Sequence, residues 1–157
     1  MDKNEIIASA MRLTLESPGN YVAENIAIRP DYAGMKIYDA PILAFGSADD
    51  ELYQKYHNPN IIGSHFITPL EWLLGAKTVI SCFLPYTQQI KLSNATDFCW
   101  PSGEWLHGRS EGHLFVREMA AHIQNILQKA EYNSLAPMLD FRYKYVSYFP
   151  APEKIKI

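Results

Sequence analysis

Helices and strands interleave along this chain, which predicts an α+β or α/β fold, a layered domain with a sheet packed on helices. Three stretches carry that prediction. Lys3 to Leu15 repeats apolar residues at helical spacing, Lys77 to Leu84 is β-branched and almost continuously apolar, and Leu114 to Ala130 carries an apolar stripe at a period of about 3.6 residues. The 157 residues are expected to form one domain, with a helix and connection over 1–34, an α/β core over 35–149 and a tail over 150–157.

In chain order, Ile6, Ile7, Ala10, Met11, Leu13 and Leu15 form the first helical stripe, and Ser17-Pro18-Gly19-Asn20 stops it. Met35 to Phe45 reads as extended, with Pro41 marking an edge or a bend and Gly46 an end. Ser47 to Asp50 places a hydroxyl and two carboxylates where a short helix through about Tyr56 would begin. Thr68-Pro69-Leu70-Glu71 is a capping box with proline at the first helical position, and Gly75 sits where a C-terminal cap belongs. The run from Lys77 to Leu84 is expected to be a central strand covered on both faces, which makes Cys82 a buried, inert thiol. Thr87 to Asp97 reads as a loop with one helical turn around Ile90 to Leu92. A long helix is expected from near Ser102 to near Glu131, with Gly108 and Gly112 as places where it could bend. Phe141 to Tyr145 alternates aromatic and basic residues, as a guarded edge strand would, and Pro150 and Pro152 end regular structure.

Composition narrows the function classes. With 48% hydrophobic and 20% charged residues the chain is a folded protein rather than a disordered one. A net charge of −3 gives no general attraction to nucleic acid or to anionic membrane, so direct nucleic-acid binding is not expected. The charged start leads into an amphipathic helix instead of a signal sequence, and no apolar run is long enough to span a bilayer. Together with two isolated cysteines, Cys82 and Cys99, this predicts a cytoplasmic protein with free thiols.

The densest chemistry lies between Pro101 and His113, where two histidines, two carboxylates, an arginine, a tryptophan and three glycines precede the long stripe. His107 and Glu111 are four apart and share a helix face, but their spacing with His113 matches no zinc signature, and no metal is expected. Glu104, Arg109 and Glu111 read equally as anchors for a polar ligand or as an internal ion-pair network. No nucleophile elbow, phosphate loop or dinucleotide fingerprint is present.

Several segments, taken in order, resemble the N-terminal part of the epoxyqueuosine reductase family and its iron–sulfur relatives. They are residues 43–50 (LAFGSADD), Ile62 to Phe66 running into Pro69 to Leu73, residues 76–85 (AKTVISCFLP), and residues 102–112 (SGEWLHGRSEG). The likeness covers residues 40 to 142. It implies a nitroreductase-like fold, here partial, with a central mixed sheet flanked by helices, and a redox protein whose cavity holds a corrinoid, cobalamin in the queuosine enzyme. On that resemblance the cofactor-binding residues are Glu104, Trp105, His107, Arg109, Glu111 and Gly112, with Trp105 packing on the ring and Arg109 and His107 meeting polar side groups. The family's downstream module carries two four-iron clusters, whereas two isolated cysteines cannot ligate even one. The expected protein is therefore a fragment, a truncated product or a reduced relative, whose chemistry would need an external iron–sulfur partner or the missing C-terminal half. Asp140 lies near the region of the family's catalytic acid without its motif. The alternative expectation is a non-catalytic module that forms a homodimer or docks a partner through its aromatic C-terminal strand.

Overall fold

A computed structural model describes residues 1–144. Its first element, α1 (Lys3–Glu16), is fixed at its start by a capping box in which Asp2 accepts the Glu5 N–H at 2.9 Å and Glu5 accepts the Asp2 N–H at 2.6 Å. Ile6, Ala10 and Thr14, spaced four apart, are buried, while Met11 and Leu15 of the expected stripe face outward. Thr14 is accommodated in that apolar face because its hydroxyl donates to the Ala10 carbonyl at 2.9 Å.

A cross-piece follows. Residues 20–22, 35–38 and 86–87 run side by side through isolated bridges at Tyr21–Lys36 and Tyr38–Tyr86. Asn20 joins them from within: its amide donates to the carbonyls of Thr14 (2.8 Å) and Tyr38 (2.9 Å), and its side-chain oxygen accepts the Tyr38 N–H at 2.9 Å. The extended stretch expected from Met35 breaks near Pro41, since a proline cannot donate into a ladder. Only its far end, β1 (Ile42–Ser47), belongs to a sheet.

β1 pairs antiparallel with β2 (Thr78–Phe83), Ile42 opposite Phe83 and Ser47 opposite Thr78. Among the described residues this two-stranded sheet is the whole of the regular β structure, so the molecule is α+β, without a mixed sheet of several strands. Between the strands lie α2 (Leu52–Lys55) and α3 (Pro69–Trp72). The α3 capping box forms as its sequence dictates, with Thr68 and Glu71 exchanging hydrogen bonds, and Gly75 takes a left-handed φ of 78° just beyond.

Two expectations for this half do not hold. β2 is not a strand covered on both faces: Leu43, Phe45 and Ile80 pack inward, whereas the opposite face, with Ile42 and Phe83 each about 60% exposed, has no layer over it. Cys82 lies opposite Leu43 on the inward side, yet it is exposed rather than buried, with neighbouring atoms desolvating its thiol enough to raise its pKa.

Thr87 to Asp97 folds as a helix, α4 (Gln88–Asn94), around the buried Ile90. The long helix α5 (Gly103–Lys129) begins at a Ser102 cap, which accepts the Trp105 N–H at 3.1 Å, and spans about 40 Å. His107, Gly108, Gly112, Phe115, Met119 and Ile123 form its buried face. Phe115 and Met119 meet Ile6, Ala10, Ile37 and Ile90 in the core. Phe141 and Arg142 form a turn rather than a strand; Tyr145, Pro150 and Pro152 lie outside the described residues. Arg142 fixes that turn by stacking 4.7 Å over Trp72, donating to the Trp72 carbonyl at 2.9 Å and pairing with Asp140 at 2.8 Å.

Candidate functional site

The stretch Pro101 to His113 is the first third of α5 and the turn before it. α4 buttresses its mouth: Asn94 accepts the Ser102 N–H at 3.1 Å, and the hydroxyls of Ser93 and Ser102 lie 3.0 Å apart. Its three glycines do not interrupt the helix. Each is a socket for a tyrosine from another segment. A methyl at Gly103 would stand 2.6 Å from the Tyr32 ring, at Gly108 2.8 Å from the Tyr86 ring, and at Gly112 2.7 Å from the Tyr38 hydroxyl oxygen. Tyr86 donates its hydroxyl to the Gly108 carbonyl at 3.1 Å and stacks on Tyr38, which also packs on Phe115. Burial, reinforced by the Tyr86 hydroxyl, pushes the Tyr38 phenol far above its ordinary pKa, so it stays neutral.

His107 is 2% exposed and both its nitrogens are engaged. Nε2 lies 3.1 Å from the Ile28 N–H and must accept from it, which leaves Nδ1 to carry the proton and donate to Glu111 at 2.8 Å. Tyr32 meets the imidazole edge-on at 5.8 Å. Burial and then the nearby Glu104 carboxylate raise the Tyr32 pKa. Glu104, His107, Glu111 and Gly112 thus form an internal seam between α5 and residues 28–38. Arg109 is exposed and makes no ion pair among the described residues. Trp105 packs partly against the core and borders an open recess of about 190 Å³ together with Asn94, Asp97, Phe98, Cys99, Trp100 and Pro101.

The six residues assigned by resemblance therefore do not line one cavity. Pockets for ordinary small molecules measure ~300–1,000 Å³, and a corrinoid is larger than most of their ligands. The Trp105 recess is below that range, and the depression of about 440 Å³ between α1 and the end of α5, near its lower end, is lined by none of the six residues. As placed here, these residues do not by themselves enclose a corrinoid. The Arg142 guanidinium beside Asp140 lowers the carboxyl's pKa and favours its ionised form, the opposite of what a general acid needs.

One pairing was not foreseen. The Ser9 hydroxyl lies 2.8 Å from His122 Nε2 across the α1–α5 contact, and burial with Arg12 nearby lowers the histidine's pKa. No carboxylate is hydrogen-bonded to His122 among the described residues, because Glu118 accepts from Ser17 instead. It is a neutral bridge between helices, one that only the tertiary fold brings together. Among the described residues no three metal-ligating side chains converge, and no helix is long and apolar enough to cross a membrane. Compared with models of known families, with curated proteins and with solved structures, the chain matches none.

Proposed function

We propose that this chain is a non-catalytic interaction module that pairs with a second copy of itself through the outer face of its two-stranded sheet. The observation that carries this reading is the mismatch between strands written for burial on both faces and a fold that covers one. The register places Ile42, Ala44, Gly46, Val79, Ser81 and Phe83 together on the open side. None of the six is charged, although the chain carries a net charge of −3, so two identical faces can stack without repelling. Apolar surface that stays contiguous and uncovered is the ordinary mark of an interface. The surface differs from the aromatic C-terminal strand suggested by the sequence, whose described portion is a turn pinned on Trp72. Light scattering over a dilution series is the test. Association that weakens with dilution supports the proposal, and a strict monomer at high concentration overturns it.

The same sheet favours a second reading, drawn from the family resemblance. Strands apolar on both faces suit a larger, nitroreductase-like core, and a reductase-family domain with a corrinoid cavity would need further protein against this face to complete both. Its electrons would come from an external iron–sulfur partner. Absorption spectroscopy after mixing with cobalamin decides it: retained pigment with a shifted spectrum supports a corrinoid site, and free pigment after desalting removes it.

A further inference from the structure

We infer that residues 49–76 are a hinged lobe, latched by Arg142, that swings open while the helical body stays folded. The lobe leaves β1 and returns to β2 through a neck closed by the Ala48 N–H, which donates to the Lys77 carbonyl at 3.1 Å. Its separateness shows in the core. Phe45 and Ile80 pack against that core on either side of the neck, and no residue between them belongs to it.

The lobe keeps its shape by contacts of its own. Tyr56 meets Phe66 edge-on at 5.1 Å, with Tyr53 and His57 beside them. The Gly63 N–H donates to the Tyr56 carbonyl at 3.0 Å, Thr68 is buried, and His57 lies 3.7 Å from Glu71 of the α3 capping box. A unit with a private cluster and few outward ties opens more readily than the core does.

Beyond the neck, the hydrogen bonds that join this lobe to the rest of the described residues come from one side chain. Arg142 donates to the carbonyls of Glu71 (3.4 Å) and Trp72 (2.9 Å), at the end of α3 where carbonyls lack helical partners, and its guanidinium covers the Trp72 ring. This latch is mounted on the body. Asp140 accepts from the guanidinium at 2.8 and 3.0 Å, Arg117 of α5 donates to the Met138 carbonyl at 3.1 Å, and Gln124 of α5 accepts the Ala136 N–H at 3.1 Å. Gly75, left-handed at a φ of 78° and uncrowded, turns the chain between Trp72 and the neck. Release of Arg142 therefore frees the far side of the lobe and bares the Trp72 indole, with the neck as hinge. The motion needs no second copy.

Amide hydrogen exchange followed by NMR on the full chain is the test. The Gly63 and Trp72 amides, hydrogen-bonded within the lobe, are expected to exchange at least about tenfold faster than those of Phe115 to Ile123 in α5. Arg142→Ala should quicken the lobe amides about tenfold further and leave the α5 amides in place. Trp72→Leu, which removes the ring and keeps the carbonyl, should quicken them severalfold, and Arg109→Ala should change neither set. A lobe that exchanges no faster than α5 in the unsubstituted protein would overturn the inference. So would an Arg142→Ala variant that leaves the lobe rates unchanged or quickens α5 equally.

Discussion

The helical side of this molecule and its sheet side solve the same problem with different completeness. Around α5 the apolar pattern is satisfied within the chain: Phe115, Ile37 and Ile90 have no exposed surface, and three tyrosines fit onto three glycines. In the sheet, one face is packed against the core and the other is bare. The lesson is that the helical side holds the fold, so substitutions there change stability, while the sheet side holds unspent surface, so substitutions there change what the protein meets.

The sharpest break of that contrast is Gly112→Leu. Tyr38 cannot move aside, being stacked on Tyr86 and packed on Phe115, and the added side chain should cost about 3 kcal/mol or more. Thermal melting followed by circular dichroism reads it. Asn20→Ala comes next, with an expected loss of about 2–4 kcal/mol by denaturant titration, because three buried backbone groups lose their partner.

A smaller effect divides two residues that the sequence treats alike. Glu111→Ala should lower stability by about 1 kcal/mol through its hydrogen bond to His107, whereas Arg109→Ala should stay within about 0.5 kcal/mol. Equal losses would put Arg109 in the fold as well.

Acid should act in two stages. Burial, then the Arg12 charge, lower the His122 pKa, so the unfolded chain takes up its proton first and stability starts to fall below about pH 6.5. Asp140, held ionised by Arg142, and Glu71, held by the Thr68 N–H, have lowered pKa values; their contribution is complete above the ordinary carboxylate range and is lost as pH falls through the folded values, below about 4. Melting temperatures from pH 8 to pH 3 follow both stages, and His122→Gln should remove the first.

What the sequence made legible has a physical pattern. α3 and α5 were readable because caps and spacing are local: Thr68 with Glu71, and Ser102 ahead of a periodic stripe. α4 was legible only as one turn around Ile90 to Leu92, because Ile90 is the single buried residue of a short helix whose place is fixed by packing on α5. The glycines looked like helix breaks because the tyrosines that fill them come from residues 32, 38 and 86. His107 looked free for chemistry because the N–H that occupies it belongs to Ile28, far away in the chain. Asn20 looked like a stop signal, and only the fold shows it holding two segments together.

The central claim is that the bare sheet face is where this chain meets its copy, and light scattering on Phe83→Lys beside the unsubstituted protein tests it most directly. Phe83 is 62% exposed, so the substitution should leave the melting temperature nearly unchanged while placing like charges at the proposed interface. The account predicts a dimer that becomes a monomer in the variant. An equally dimeric variant, or an unsubstituted chain that never associates, would contradict it.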